Sequence, residues 1–430
     1  MVSKKMEAGL TRMGHVVSTD DAEAVVSVTF DDRGATVVWP RELDMFKAFQ
    51  RNESHEVPDV LIFRDDKGFL TLREGGSAGM SMSTLGSSVE RLRFRSVVET
   101  GSSGADYAKV NGMSSEVDGL ARWAKMHPVT GQIEFHGPEK RPRVVIAAEN
   151  LESKELGGQL DLTLETSFTH HPTPKNGVYS ISEALTVRTR SRRRKAWQVH
   201  ATEHHMMQDL MCLVYAHPCK ATIRSVMRTD DQPIPIKDGK YWWPNVYEPS
   251  FGRGTGEGKA LPEDRRPFFC LDEADSGRIA AWLSDFQLWS RPTWIAVTTM
   301  FQQDSTVESQ LLQVGVALEA LGYAIWRQAK PSGAKTPTYV DLLKHVTEAV
   351  AIQHPLLYGK NVSAGKWRDR FNAAFKGAKH ADNPLPSGQG AVLRARQGFL
   401  LIRCWLALEL GVPRRLVRER LGKIEEGSWR

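Results

Sequence analysis

Apolar residues in the first half of the chain come in short runs rich in β-branched and aromatic side chains, cut by Asp, Gly, Pro and Ser. The runs cover residues 25–30, 35–39, 60–63, 69–72, 92–98, 133–136, 144–147, 160–168 and 178–187. Leu160, Leu162 and Leu164 alternate with Asp161, Thr163 and Glu165, the period of two expected of a strand with one buried face. The pattern predicts a sandwich or barrel-like β module. A single helix interrupts it, capped by Ser114 or Ser115 and burying Val117, Leu120 and Trp123.

The period changes near Ser182 or Ser191, and residues 197–215 read as a helix with Met206, Leu210, Leu213 and Val214 on its apolar side. Residues 224–266 hold Pro233, Pro235, Trp242, Trp243, Pro244 and the glycine-rich stretch 252–258, which predicts an irregular connection. Helical patterning resumes near Asp272 with Ile279, Trp282, Leu283 and Phe286, and the one strand candidate beyond it is 294–297. Val307, Leu311, Val314, Leu318, Leu321 and Ile325 draw one continuous stripe on a long helix. Further helices are expected at 340–351, 366–381, 391–410 and 414–421, divided by Pro331, Pro355, Pro384, Pro386 and Pro413. The fold class that follows is α+β, in three parts: a β-rich module over 1–220, a connecting region with helices over 221–299 and a helical bundle over 300–430.

Charge sharpens this division. The whole chain carries +6, yet residues from Met300 onward hold 19 Lys and Arg against 11 Asp and Glu, so the C-terminal part is basic and the rest slightly acidic. A basic domain points to a polyanionic partner. Cys212, Cys219, Cys270 and Cys404 lack C-x-x-C spacing, which argues against a disulfide framework and a thiolate zinc site. No apolar run reaches the roughly 18 residues of a membrane span, and the first residues lack the order of a secretory signal. The expected setting is the cytoplasm, with no membrane partner. No phosphate-binding loop with its Lys and Ser or Thr is present, so nucleotide hydrolysis is not indicated.

The segment KWRDRFNAAFKGAKH (366–380) followed by Ala381, Asp382, Asn383 and Pro384 resembles the late-helix signature of HEPN domains, in particular the ApeA-like branch. LLQVGVALEALGY (311–323), with Glu319 inside it, is similar to the first long HEPN helix, and RQGFLLIRCWLALELGV (396–412) to the last. YAKVNGMSSEVDGLARWAKM (107–126) and HATEHHMMQDLMCLVYA (200–216) resemble the ApeA N-terminal domain. The resemblance implies a metal-independent endoribonuclease without cofactors, assembled as a homodimer or higher homo-oligomer, acting on RNA such as tRNA in defence against phage. The family motif places an Arg before His with four to six residues between them. Here those places hold Ala373, Ala374 and Phe375.

On an ideal helix Arg370 stands roughly 15 Å and Arg368 roughly 18 Å from His380 along the axis, too far to share one phosphate. Lys376 lies one turn before His380, with Asn372 a further turn back and Lys379 beside it. His380 is therefore expected as the acid-base residue, since imidazole titrates near neutrality, and Lys376 as the phosphate contact. Asn372 and Asp382 are candidates to orient the imidazole or meet the ribose, and Glu319 to complete the site. The alternative is a catalytically degenerate scaffold in which His380 merely ends the helix. A third possibility is a zinc peptidase, because His200, Glu203 and His204 spell H-x-x-E-H, with Asp272 or Glu273 nominated as third ligand. Finally, Arg188, Arg190, Arg192, Arg193, Arg194 and Lys195 put six cations into eight residues, either a nucleic-acid grip or a solvated strand end.

Overall fold

The computed structural model describes residues 6–17, 25–42, 57–82, 87–100, 105–136, 140–175, 178–231, 234–235, 241–253, 260–302, 304–329 and 337–426. Pro233, Pro331 and most of the glycine-rich stretch 252–258 lie outside them.

The first five runs resolve into strands β2 (Val25–Asp31), β3 (Gly34–Glu42), β4 (Val60–Asp65), β5 (Gly68–Met82) and β6 (Ser87–Thr100), and β1 (Thr11–Val16), which no apolar run marked, precedes them. They are antiparallel in the order β6-β3-β2-β1-β4-β5, and β5 pairs back onto β6. Of the two architectures the pattern allowed, the structure is a closed six-stranded barrel, which leaves those six strands no free edge among themselves. Its core is the inward half of each alternation: Val26, Val28 and Phe30; Ala35, Val37 and Trp39; Leu61 and Phe63; Leu70 and Leu72; Leu92 and Phe94. Register matches this packing, with Val37 opposite Leu92 and Phe63 opposite Leu70. Asp65 at the β4–β5 turn accepts from Lys67 N at 2.9 Å and is held by Arg12 through Nε at 2.7 Å, and this buried ion pair keeps its carboxyl below the usual range despite burial.

After the barrel come β7 (Lys109–Val117), α1 (Leu120–Ala124), β8 (Val129–His136), β9 (Arg141–Ala148), β10 (Lys154–Gly157), β11 (Leu162–Lys175), β12 (Val178–Ala196), α2 (Trp197–Tyr215) and β13 (Ala221–Met227). The second sheet runs β10-β11-β12-β7-β13, and β8 and β9 form a separate hairpin. Ser114 and Ser115 are not helix caps: both lie in β7, and α1 is preceded instead by Gly119 in the left-handed region. Helix α2 falls where the sequence placed it. The connection beyond it is less irregular than its Pro and Gly content suggests, since β14 (Ile234–Pro235) pairs with β15 (Tyr241–Trp242), and β16 (Val246–Tyr247) adds to β6 with Val246 opposite Val98.

Helices follow: α3 (Ser276–Ser284), α4 (Phe286–Phe301), α5 (Val307–Ala329), α6 (Tyr339–Val350), α7 (Pro355–Tyr358), α8 (Ala364–Lys379), α9 (Gly388–Glu409) and α10 (Arg414–Glu425). The strand candidate at 294–297 is part of α4. β-branched Ile295, Val297, Thr298 and Thr299 favour a strand locally, but burial of Trp289, Ala296 and Val297 along one helical face decides the outcome. The stripe on α5 is as expected, with Leu311, Val314, Leu318 and Leu321 buried. Among the described residues no helix is long and apolar enough to cross a membrane.

Two compact units emerge. One comprises Met1–Glu116, Thr186–His204 and Ala221–Gly252; the other comprises Val117–Leu185, His205–Lys220 and Arg253–Arg430. Within the second, the exposed carbonyls at the end of α2 are capped by two arginines. Arg403 donates to Leu213 O and Val214 O, both at 2.8 Å, and Arg265 to Tyr215 O at 2.9 Å and Ala216 O at 3.0 Å. Cations at a helix C-terminus meet its negative end, and Arg403 also lies 4.7 Å from the Phe268 ring centre. Burial pulls the Arg403 guanidinium down to about 10.

Candidate functional site

Helix α8 begins at Ser363, whose hydroxyl accepts from Lys366 N at 3.3 Å. Trp367, Phe371 and Phe375 face the core, while Lys366, Arg370, Lys376 and Lys379 are exposed. The expected helix over 366–381 stops earlier, at Lys379. His380 is the C-cap, with extended backbone at φ −124° and ψ 124° and its N–H donating to Lys376 O at 2.8 Å. The chain then folds back over the helix. At Gly377 a Cβ would stand 2.1 Å from Pro384 O, so only glycine lets the segment after His380 lie so close.

His380 thus stands one turn after Lys376, joined to it by that backbone bond, and is exposed just beyond the last helical residue. Lys376 and Lys379 share the exposed last turn, where two cations oppose the negative helix end. Arg368 is tied to α6, donating to Thr347 Oγ1 at 2.9 Å.

The place of the missing motif Arg has a physical account. Phe375 is buried, stacked on Tyr339 with ring centres 4.7 Å apart and planes 14° apart. Gly315 of α5 makes room for it, since a Cβ there would come within 2.3 Å of the ring. Tyr339 donates to Gly315 O at 3.2 Å, and burial, with the Glu319 charge second, pushes its phenol far above the ordinary range. Lys379 Nζ lies 5.6 Å from the Phe375 centroid. Tyr339, Phe375 and Lys379 thus form one connected group on α6 and α8, with the Glu319 charge of α5 felt by the Tyr339 phenol. Tyr339 and Phe375 had no polar signature to single them out in the sequence.

Asn372 is half-buried, and its Oδ1 is buried without a hydrogen-bond partner among the described residues. Asp382 is exposed and accepts from Asn383 Nδ2 at 3.0 Å.

The H-x-x-E-H segment has a different fate. His200, Glu203 and His204 are all buried on α2. His204 Nδ1 pairs with Ser115 Oγ of β7 at 2.6 Å, its Nε2 with Thr189 Oγ1 of β12 at 3.1 Å, and the same hydroxyl meets His200 Nδ1 at 2.8 Å. Burial drives His200 down to about 4, so that imidazole is neutral at physiological pH. Asp272 pairs with Lys125 at 2.8 Å, and Glu273 with Arg420 at 2.7 Å. Among the described residues no three His, Cys, Asp or Glu are grouped as a metal site requires. Hydroxyls of β7 and β12 are the partners of these imidazoles, and the zinc-peptidase alternative gives way to a structural network.

The basic run lies on β12, which continues to Ala196 instead of ending near Val187. Arg192, Arg193, Arg194 and Lys195 are all exposed. Arg194 pairs with Asp230 at 2.8 Å, while Arg188 and Arg190 lie over the Trp243 ring at 4.7 Å and 5.7 Å. This stretch and the α8 site belong to different compact units.

No curated protein and no solved structure is significantly similar to the chain. A family model does match: ApeA N-terminal domain 1, over residues 21–274, a span that takes in barrel strands β2 to β6, the β7–β12 sheet, the buried histidine network and the stretch through β16. With more than half of its length covered by that match, the chain belongs to the ApeA N-terminal domain 1 family.

Proposed function

We propose that the protein is a cytoplasmic, HEPN-type endoribonuclease of anti-phage defence that cleaves RNA, tRNA being one candidate, without a metal. Membership of the ApeA family supports the defence role, and the helical region beyond residue 276 supports a HEPN-like bundle. The observation that carries the assignment is the end of α8, where His380 leaves the helix exposed beside Lys376 and Lys379.

In this scheme the His380 imidazole takes the proton of a ribose 2′-hydroxyl, whose oxygen attacks the adjacent phosphorus. The bond to the 5′-oxygen breaks, that oxygen takes the proton back from the imidazolium, and a 2′,3′-cyclic phosphate remains. Lys376 contacts the charged phosphate oxygens, with Lys379 adjacent; Asn372 offers an unused acceptor, and Asp382 and Glu319 flank the site. A lysine supplies charge without the two-pronged geometry of arginine, so turnover is slow. The active form is a homodimer, or a higher homo-oligomer, that brings two such helix ends together.

A second function, a non-cleaving binding scaffold, is favoured by one observation: the motif positions hold Ala373, Ala374 and the core residue Phe375. Incubating tRNA and unstructured RNA with purified protein in chelator separates the two. Fragments with cyclic-phosphate ends, absent with His380→Ala, support the nuclease; intact RNA that nonetheless stays bound supports the scaffold.

A further inference from the structure

Where β12 passes β7 the register jumps. Arg190 faces Gly112 and Lys195 faces Val110, so residues 191–194 stand opposite Asn111 alone. A bulge this large needs support, and Asn111 provides it. Its Nδ2 donates to the carbonyls of Ser191 and Arg192, both at 3.2 Å, and its Oδ1 accepts from Thr229 N at 3.1 Å and Oγ1 at 3.2 Å. Ser191 Oγ adds a bond to Arg193 O at 2.6 Å. Asn111 itself is 1% exposed, so a buried side chain fixes the shape of an exposed segment.

The clamp holds like charges together. Arg194 is neutralised by Asp230, which also takes Arg228 at 2.8 Å. Arg192, Arg193 and Lys195 are exposed, and their side chains have no hydrogen bond or ion pair among the described residues. Adjacent unpaired cations repel one another, and the fold nonetheless fixes the backbone that presents them. On the same strand Arg188 and Arg190 border Trp243, which rests against Gly112 so closely that a Cβ there would come within 2.9 Å.

We propose that this clamped bulge is a binding site for the phosphodiester backbone of single-stranded RNA, with Arg192, Arg193 and Lys195 on successive phosphates and Asn111 as the positioning residue. Three exposed cations within four residues on a fixed backbone present concentrated positive charge to a chain that carries one negative charge per nucleotide. A lipid surface fits less well, because an interfacial segment buries apolar side chains and residues 188–196 contain none larger than Ala196. The substrate class rests on the proposed function; the site itself does not require cleavage.

The test uses full-length protein and a fluorescein-labelled 2′-O-methyl oligouridine, which lacks the attacking hydroxyl, with anisotropy followed across a salt series. Replacing Arg192, Arg193 and Lys195 together by Ala is expected to weaken binding at least tenfold and to lower the slope of log affinity against log salt by about 2, at about 0.7 per lost single-strand contact. Asn111→Ala keeps every cation and is expected to weaken binding severalfold; Arg194→Ala, which removes a neutralised charge, changes it less than about twofold. Wild-type affinity and salt slope in the triple variant would overturn the site, and wild-type affinity in a folded Asn111→Ala protein would overturn the clamp. A protein that cleaves RNA while its triple variant binds normally loses this site and keeps the nuclease; one that never cleaves but loses binding in the triple variant does the reverse.

Discussion

Histidines occur in two very different settings in this protein. On α2, His200 and His204 are buried against the hydroxyls of Ser115 and Thr189. At the end of α8, His380 is exposed, and among the described residues its hydrogen bonds are made by its backbone. In sequence the first pair carried the more recognisable chemical spelling. Burial reverses the ranking: a ring held by hydroxyls on neighbouring strands belongs to the fold, whereas an exposed ring near two lysines has the access that the proposed acid-base role requires.

The largest expected effect that tests this contrast is on activity. His380→Ala is predicted to reduce RNA cleavage by about a hundredfold or more, the usual weight of a general acid-base group, while leaving the melting temperature unchanged. His204→Ala should do the opposite. It removes the imidazole partner of the buried Ser115 hydroxyl and one of the two imidazole partners of Thr189 and is predicted to destabilise the protein by about 2 kcal/mol, read as a lowered urea midpoint. If His204→Ala unfolds at the wild-type midpoint, the buried network is not structural.

Acid sharpens the comparison further. His200 is depressed from its ordinary value to about 4 by burial, so the unfolded chain takes up its proton first as pH falls. Its contribution to stability is complete above about pH 6.5 and is lost progressively down to about pH 4. Asp209, lifted from 3.8 to about 7 by complete burial despite its ion pair with Arg253, acts in the opposite sense, weakening the fold as pH rises from about 4 to about 7. The difference between wild type and His200→Asn isolates the histidine: the variant's urea midpoint should fall less between pH 6.5 and pH 4. Parallel curves would mean that His200 is not the responsible group.

The smallest predicted effect is a gain. Lys376→Arg supplies the planar guanidinium that the family motif carries, and cleavage is expected to rise by no more than about tenfold. A fall in turnover, with binding unchanged, would point to Lys379 as the working cation.

Much of the fold was legible because period and burial coincide. Alternating Val, Phe and Leu placed barrel strands β2 to β6 but not β1, whose TRMGHV has few apolar residues, and the stripe from Val307 to Ile325 placed α5. Closure of the barrel was not legible, since pairing of β5 with β6 is a long-range choice that local pattern leaves open. The β-branched run in α4 misled for the same reason, with tertiary burial outweighing propensity. At the candidate site the residue types on α8 were visible, but the helix end was not, because it depends on Pro384 packing over Gly377. Nor did the sequence distinguish a ligand-like histidine from a buried one, which requires knowing that Ser115 and Thr189 lie across from α2.

The central claim is that His380 does chemistry and not packing, and one paired measurement addresses it most directly: RNA cleavage in chelator and melting temperature, taken on the same preparations of wild type and His380→Ala. The account predicts cyclic-phosphate products from wild type, their loss in the variant and superimposable melting curves. Undiminished cleavage by a folded His380→Ala protein would contradict it.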